Sequence, residues 1–144
     1  MTKALIDTNV LLDAIAARKP FRDDAEKIFL AAAQRIFDGL VTATSLTDIY
    51  YMARKSISDE EAREALRNLT EIFSVAAVSG ADCLTALDSP MPDFEDALMV
   101  TCARRERADF IVTRDQELLR LSSPLTAVSP GDFIKHIEAD VRRG

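Results

Sequence analysis

Histidine and cysteine are scarce in this chain, and their scarcity removes whole classes of chemistry. His136 is the only histidine and falls in the last helix-like stretch, which leaves imidazole-ligated zinc sites and Ser/His/Asp triads without a builder. The two cysteines, Cys83 and Cys102, lie far apart without C-x-x-C spacing, so metal-thiolate and redox motifs are unsupported and both read as small buried hydrophobes. No uninterrupted apolar segment approaches the roughly 20 residues that a membrane-spanning helix needs, and Asp7 interrupts the only candidate for a signal-peptide core. The expectation is a soluble, cytoplasmic protein with no membrane contact. Positive charge is also short: 18 Lys and Arg face 24 Asp and Glu, for a formal net charge of -6. That argues against a broad cationic surface for nucleic acid, although local contacts stay open. Internal repeats, low-complexity tracts and linkers are absent, and 144 residues at 48% hydrophobic fit one domain spanning 1–144.

What the sequence has instead is a series of short apolar runs that end on acids. Ala4-Leu5-Ile6 breaks at Asp7, Thr8 and Asn9 follow, and apolar residues resume at Val10-Leu11-Leu12. This is the pattern of a buried strand handing over to a buried helix. Asp7 is thereby placed at the carboxyl end of a strand, the edge at which open α/β sheets bind ligands. The helix is expected to stop near Arg18-Lys19-Pro20. Phe21, Ala25, Ile28, Phe29, Ala32 and Ile36 recur at helical spacing and predict an amphipathic helix ending near Gly39. Leu40–Ala43 is a second strand, after which Thr44, Ser45 and Thr47 offer capping hydroxyls to a helix that carries Asp48 about one turn in. Ser58 and Glu61 have capping-box spacing, Val75–Val78 reads as a third strand, and Ser79 can cap the helix after it.

Pro92-Asp93-Phe94-Glu95-Asp96 opens a helix that is acidic in its first turn and apolar on most sides afterwards. Such a helix is largely buried, which fixes its acidic end in place. Phe110-Ile111-Val112 is the next strand, and Thr113 to Glu117 open a short helix, so Asp115 repeats the situation of Asp7. A strand near Thr126-Ala127-Val128 leads to Ser129-Pro130, an N-cap with proline at the first helical position. Phe133, Ile134, Ile137 and Val141 give the last helix its buried side. Strands alternating with helices predict an α/β fold with a mostly parallel sheet covered on both faces, in which right-handed crossovers put the strand-to-helix junctions on one edge. That edge collects Asp7, Asp48, Asp96 and Asp115.

Several carboxylates in one cleft repel, and they stay ionised together only around something positive. A hard divalent cation fits, because Mg²⁺ takes oxygen ligands, keeps several waters and needs only one or two direct carboxylates. Held in this way, a metal can activate water, orient it and stabilise the charge developing on a phosphoryl group, which describes a phosphodiesterase. Setting these four acids aside takes the formal charge from -6 to -2, and one divalent ion brings it to about zero. Arg114, Arg18 with Lys19, and Arg54 with Lys55 are candidate phosphate contacts. Arg104, Arg105 and Arg107 are further candidates, but they close a helix and read more simply as complements of its dipole.

Ile6-Asp7-Thr8-Asn9-Val10-Leu11-Leu12-Asp13, Arg18-Lys19-Pro20-Phe21, Asp93-Phe94-Glu95-Asp96-Ala97-Leu98 and Ile111-Val112-Thr113-Arg114-Asp115 together resemble the successive motifs of PIN domains through nearly the whole chain. The resemblance is greatest to small single-domain prokaryotic members, many of them the toxins of VapBC toxin–antitoxin pairs. It implies a three-layer α/β/α sandwich and Mg²⁺- or Mn²⁺-dependent cleavage of RNA, and commonly a homodimer and a small antitoxin partner. By motif Asp7, Asp48, Asp96 and Asp115 match the first to fourth acids, and the resemblance implies that they are the catalytic and metal-binding residues. Two departures stand out. The second acid is usually glutamate, and Asp48 is one methylene shorter, so its contact can run through water. The fourth motif more often has asparagine with a later acid; Asp115 takes the asparagine's place and Leu118 the later acid's, leaving Glu117 as a possible substitute.

Simpler readings stand beside these. Asp93 can be an N-cap as readily as a catalytic group, and Asp115 can belong to a capping arrangement with Thr113 and Gln116. Thr8, Asn9 and Thr113 read either as supports for carboxylates and waters or as ordinary caps. Asp13, more than a helical turn past Asp7, reads as a solvated helix residue, and Tyr50 and Tyr51 read as core, with a dimer face as the alternative. The leading expectation is a ribonuclease in which Asp7 and Asp96 bind the ion, Asp48 and Asp115 complete the site, and the products carry 5′-phosphate and 3′-hydroxyl ends. A haloacid-dehalogenase-like phosphatase wants an aspartate where Asn9 stands, and a receiver domain wants lysine where Arg114 stands. The remaining alternative is a PIN-like scaffold that binds RNA or a protein partner without cutting.

Overall fold

The computed structural model describes residues 1–121 and 125–144. Five short strands, β1 (Lys3–Ile6), β2 (Asp38–Thr42), β3 (Ser74–Ala76), β4 (Phe110–Val112) and β5 (Thr126–Val128), form one sheet in the order β3-β2-β1-β4-β5. Every pairing is parallel, as the alternation of strand and helix requires. The helices between them are α1 (Thr8–Ile15), α2 (Arg22–Ala33), α3 (Ala43–Ala53), α4 (Asp59–Ile72), α5 (Gly80–Leu87), α6 (Phe94–Arg105) and α7 (Pro130–Arg143). Leu5 is in register with Leu40 on one side and Ile111 on the other, so the first strand of the chain lies at the sheet's centre.

The central strands are covered on both sides, and the two-residue period of a strand divides their side chains between two cores. Ala4, Ile6, Val41 and Val112 point into one core, packed by Val10 and Leu11 of α1, Ile28 of α2, Leu69 of α4 and Phe133 of α7. Leu5, Leu40 and Ile111 point into the other, against Met99, Val100 and Ala103 of α6 with Leu118 and Leu125. This is the three-layer arrangement. α5 packs on the outer side of α6 through Ala86, Ala97 and Leu98. Among the described residues no helix is long and apolar enough to cross a membrane.

Local signals place most of the boundaries. Ser58 and Glu61 form the expected capping box at α4, and Ser79 with Asp82 forms a second at α5. Ser129 accepts from the Asp132 N–H at the start of α7, with Pro130 in its first turn. Cys102 is buried as expected, and Cys83 partly so. The clearest boundary error is α2, which ends at Ala33 rather than near Gly39. Arg35 turns left-handed there (φ 59°), Ile36 is exposed, and Phe37 swings into the core ahead of β2. Phe21 likewise precedes α2 and is exposed rather than on its buried stripe. The stretch after Asp115 makes only a single 3-10 turn, Leu118–Arg120. Tyr51 is 66% exposed and therefore not core, while the Tyr50 hydroxyl donates to Asp59. Arg105 does more than complement a dipole: its Nε bonds the buried Asp82 carboxylate at 3.0 Å and its Nη2 bonds the Ala77 carbonyl, fastening α6 to α5.

Candidate active site

The strand order reverses at β1, whose two neighbours, β2 and β4, feed helices or turns on the same sheet edge. A crevice forms at such a reversal. Asp7 occupies the capping position of α1, but the best-formed hydrogen bond of its carboxylate lies outside the helix. Its Oδ2 accepts a 2.8 Å hydrogen bond from the Thr113 hydroxyl, which stands just past β4. The Asp7 backbone N–H meanwhile donates to Val112 O at 2.9 Å, continuing the β1–β4 pairing to the residue itself. Burial pushes the Asp7 carboxyl above its ordinary pKa; the Thr113 hydroxyl and the Thr8 and Asn9 N–H groups oppose that rise, and the Asp115 charge adds to it.

Asp96 sits in the first turn of α6, where Asp93 is the cap and accepts from the Asp96 N–H at 3.0 Å. A helix N-terminus ordinarily favours a charged acid. Here burial and the charges of Asp93, Asp115 and Asp7 outweigh it, and the Asp96 pKa is pushed up to about 7. Asp115 donates its N–H to Thr113 Oγ1 at 2.9 Å and accepts the Glu117 N–H at Oδ1, also at 2.9 Å, so it does take part in a local cap. Its side chain also reaches Asp96. Asp48, on α3, faces Glu95 of α6; the hydrogen bond between the two acids, with burial and the Asp48 charge, raises the Glu95 pKa.

These six carboxylates, Asp7, Asp48, Asp93, Glu95, Asp96 and Asp115, line one cleft of about 330 Å³. Thr8, Asn9 and Arg18 border it as well. Thr8 is tied to α3 through a chain of hydroxyls, Thr8 Oγ1 to Ser45 Oγ at 2.7 Å and Ser45 Oγ to Thr42 Oγ1 at 3.0 Å, with Thr42 also capping α3. Thr113 lies buried behind Asp7 rather than in the cleft.

Three residues expected at the site are elsewhere. Glu117 is exposed, turns toward Arg120, 3.7 Å away, and does not line the cleft. Arg54 donates to the Ile57 carbonyl at 2.8 Å beyond the end of α3 and does not border the cleft. Arg114 turns away to Asp13, which it holds through Nε to Oδ2 at 2.7 Å and Nη2 to Oδ1 at 3.1 Å. Asp13 is 1% exposed, not solvated. Glu95 is the acid that the sequence reading passed over. Its neighbour Asp96 matched a motif and the pair read as a helix's acidic first turn, but the end-on approach of α6 to the cleft brings both residues in.

The donor set is oxygen throughout, which suits a hard cation that retains water. Among the described residues, no group of three or more His, Cys, Asp or Glu side chains is arranged to hold a metal ion by itself. The charges of their neighbours nevertheless raise the pKa values of Asp7, Glu95 and Asp96, so the cleft carries negative charge that a cation would relieve.

Residues 3–117 match the PIN domain family. Among solved structures the chain is similar to VapBC2 from Rickettsia felis bound to a promoter DNA fragment, at 16% identity and a TM-score of 0.66, covering 89% of this chain and 98% of that one. A toxin–antitoxin complex from Klebsiella pneumoniae gives 20% identity and a TM-score of 0.66 over 88% and 97% of the two chains. A Mycobacterium tuberculosis VapC toxin described as cleaving the sarcin–ricin loop gives 14% and 0.59 over 75% and 86%. At these identities the likeness is one of fold. No curated protein sequence matches the chain.

Proposed function

The chain belongs to the PIN-domain family, and from that premise and the acid cleft we propose that it is a divalent-cation-dependent endoribonuclease, the toxin of a type II toxin–antitoxin pair. The observation that carries the reading is the convergence of acids from four separate places in the fold, the ends of β1 and β4 and the starts of α3 and α6, on one sheet edge. A hydrophobic core has no use for that many carboxylates, and like charges gathered at this cost mark a functional site.

Asp7 and Asp96 are the residues to hold Mg²⁺ or Mn²⁺ directly, with Asp48, Asp115 and Glu95 around them to bind the ion's waters. When bound, such an ion supplies charge neutralisation, a lowered pKa for water and stabilisation of negative charge developing on a phosphoryl group. The protein's own part is orientation. Thr113 holds the Asp7 carboxylate, Asp93 fixes the first turn of α6 through the Asp96 N–H, and the Thr8–Ser45–Thr42 hydroxyls tie α1 to α3. Arg18, at the cleft's border, is the cation placed for a backbone phosphate of the substrate.

The test is cleavage of RNA by the purified protein with Mg²⁺ or Mn²⁺, leaving 5′-phosphate and 3′-hydroxyl ends, with Asp7→Asn slower by on the order of 100-fold or more. Equal cutting by that variant, or none with any divalent metal, overturns the assignment and favours a scaffold that binds without cutting. The R. felis and K. pneumoniae neighbours are toxin–antitoxin complexes, which supports a small antitoxin as the partner here. Exposed Leu84 and Leu87 on α5 and Tyr51 and Met52 on α3 offer apolar surface for that contact and for a homodimer. Co-purification with the product of a neighbouring small gene, and suppression of cleavage by it, tests the partner.

A further inference from the structure

Asp13 presents a problem that the acid cleft does not solve. It is a carboxylate 1% exposed in the last turns of α1, and it does not line the cleft. A buried carboxylate is tolerated only when paired and hydrogen-bonded. Its partner comes from 101 residues further along the chain: Arg114 grips both carboxylate oxygens, at 2.7 and 3.1 Å. The flat of the same guanidinium lies 3.7 Å from the centre of the Phe21 ring, in the loop before α2. Arg114 is thus fixed at its edge and on its face, with its side chain 27% exposed.

The backbone on either side of Arg114 carries the other half of the observation. Thr113, immediately before it, gives its hydroxyl hydrogen to Asp7. Asp115, immediately after it, donates its N–H to that same hydroxyl oxygen and extends its side chain toward Asp96. Three consecutive residues therefore join a buried ion pair to two corners of the cleft. The segment between β4 and the 3-10 turn has no helix of its own to hold its course; Thr113 ties it to the cap of α1 at Asp7, and Arg114 pins it to the other end of α1 at Asp13.

We infer that Asp13 and Arg114 form a buried ionic clamp which positions the 113–115 segment, and through it the carboxylates of Asp7 and Asp115. The inference rests on the nuclease reading for its effect on rate but not for its geometry. Asp13 and Arg114 are positioning residues. Neither touches substrate, and the Arg114 charge serves the site from behind rather than by meeting a phosphate. A pair that touches α1, the loop before α2 and the turn after β4 holds those three pieces in a single relation, and metal-site residues oriented from behind in this way are sensitive to loss of their supports.

The decisive variant is Asp13→Asn, which keeps the side chain's shape and removes its charge; Arg114→Lys, which keeps the charge and loses the two-pronged grip, is the second. Three quantities are measured: kcat and KM on RNA, Mn²⁺ affinity, and hydrogen exchange of the Asp115 amide in metal-free protein. The clamp predicts a kcat lower by about tenfold with KM changed by less than about twofold, Mn²⁺ binding weaker by about tenfold, and Asp115 exchange faster by about tenfold. Ile137→Val, a core truncation far from the segment, is the control: it lowers thermal stability and leaves Mn²⁺ affinity and Asp115 exchange as they are. If Asp13→Asn behaves like that control, or if it weakens KM alone, the clamp is overturned. Should Asp13→Asn fail to fold, Arg114→Lys decides by the same measures. Should wild-type protein neither cut RNA nor bind Mn²⁺, the nuclease reading falls while Asp115 exchange still decides the clamp.

Discussion

The Thr113 hydroxyl donates to Asp7 Oδ2 at 2.8 Å and accepts from the Asp115 N–H at 2.9 Å, so one fully buried oxygen serves two corners of the acid cleft. Thr113→Val keeps the shape of the side chain and removes both bonds. Its cleavage rate should fall on the order of 10- to 100-fold. Because the Thr113 bond restrains the rise in the Asp7 pKa, losing it should also move the acid limb of the pH–rate profile upward. Thr113→Ser, which keeps the hydroxyl, should retain most of the activity. Steady-state rates across pH check all three expectations.

The elevated Asp96 pKa makes an unusual statement about stability. A carboxyl that titrates near 7 when folded and near 4 when unfolded binds more protons in the folded state between those values. Stability from this group is therefore full below about pH 4, declines as pH rises and is lost by about pH 7. Without metal, Asp96→Asn should melt higher than wild type at pH 8, and the gap should narrow steadily as the pH is brought down to 5. Mg²⁺ should raise the wild-type melting temperature at pH 8 and leave Asp96→Asn little changed. Thermal melts at these pH values, with and without Mg²⁺, provide the check.

Glu95 and Glu117 offer a paired comparison. Glu95 lines the cleft and hydrogen bonds with Asp48, whereas Glu117 faces Arg120 in solvent. Glu95→Gln should reduce cleavage or Mn²⁺ affinity by about tenfold, and Glu117→Gln should change neither by more than about twofold. The reverse ranking would show that the second acid of the fourth motif has been taken over by Glu117 after all.

Gly39 tests the sheet beneath the site. A Cβ built there would stand 2.5 Å from Phe73 Cδ1 and 2.8 Å from Cε1, and that ring is itself buried and packed edge-on against Phe29. Gly39→Ala should cost about 1–3 kcal/mol of stability, read by denaturant unfolding, with cleavage per folded molecule unchanged.

Sequence patterns located the parallel sheet and the acids on its edge because both are written locally: apolar runs of strand length, each followed by a polar break. Asp13 was misread for the opposite reason. Its neighbours in α1 say only that an acid sits on a short helix, while the guanidinium that buries it comes from beyond the fourth strand, a separation no periodicity records. The place of Arg114 was equally hidden: an arginine beside a cleft acid in sequence looks turned to the cleft, whereas its guanidinium pairs with Asp13. The end of α2 is hidden because Ile36 continues the apolar spacing and Gly39 looks like the stop, whereas Arg35 itself adopts the left-handed turn. Tyr51 was assigned to the core on residue type alone, and packing left it on the surface.

The position of β1 also has a bearing on folding. It precedes the other four strands in the chain, yet one of its two hydrogen-bonded edges waits for Phe110–Val112, and Asp7 gains neither the Thr113 hydroxyl nor the company of Asp115 until that segment arrives. More than 100 residues of chain separate the two segments whose docking brings Asp7 and Asp115 together. The acid cleft is therefore a late product of folding, because β1 alone carries Asp7 without its hydrogen-bond partner, and the site takes shape only when β4 and the turn after it dock on that strand.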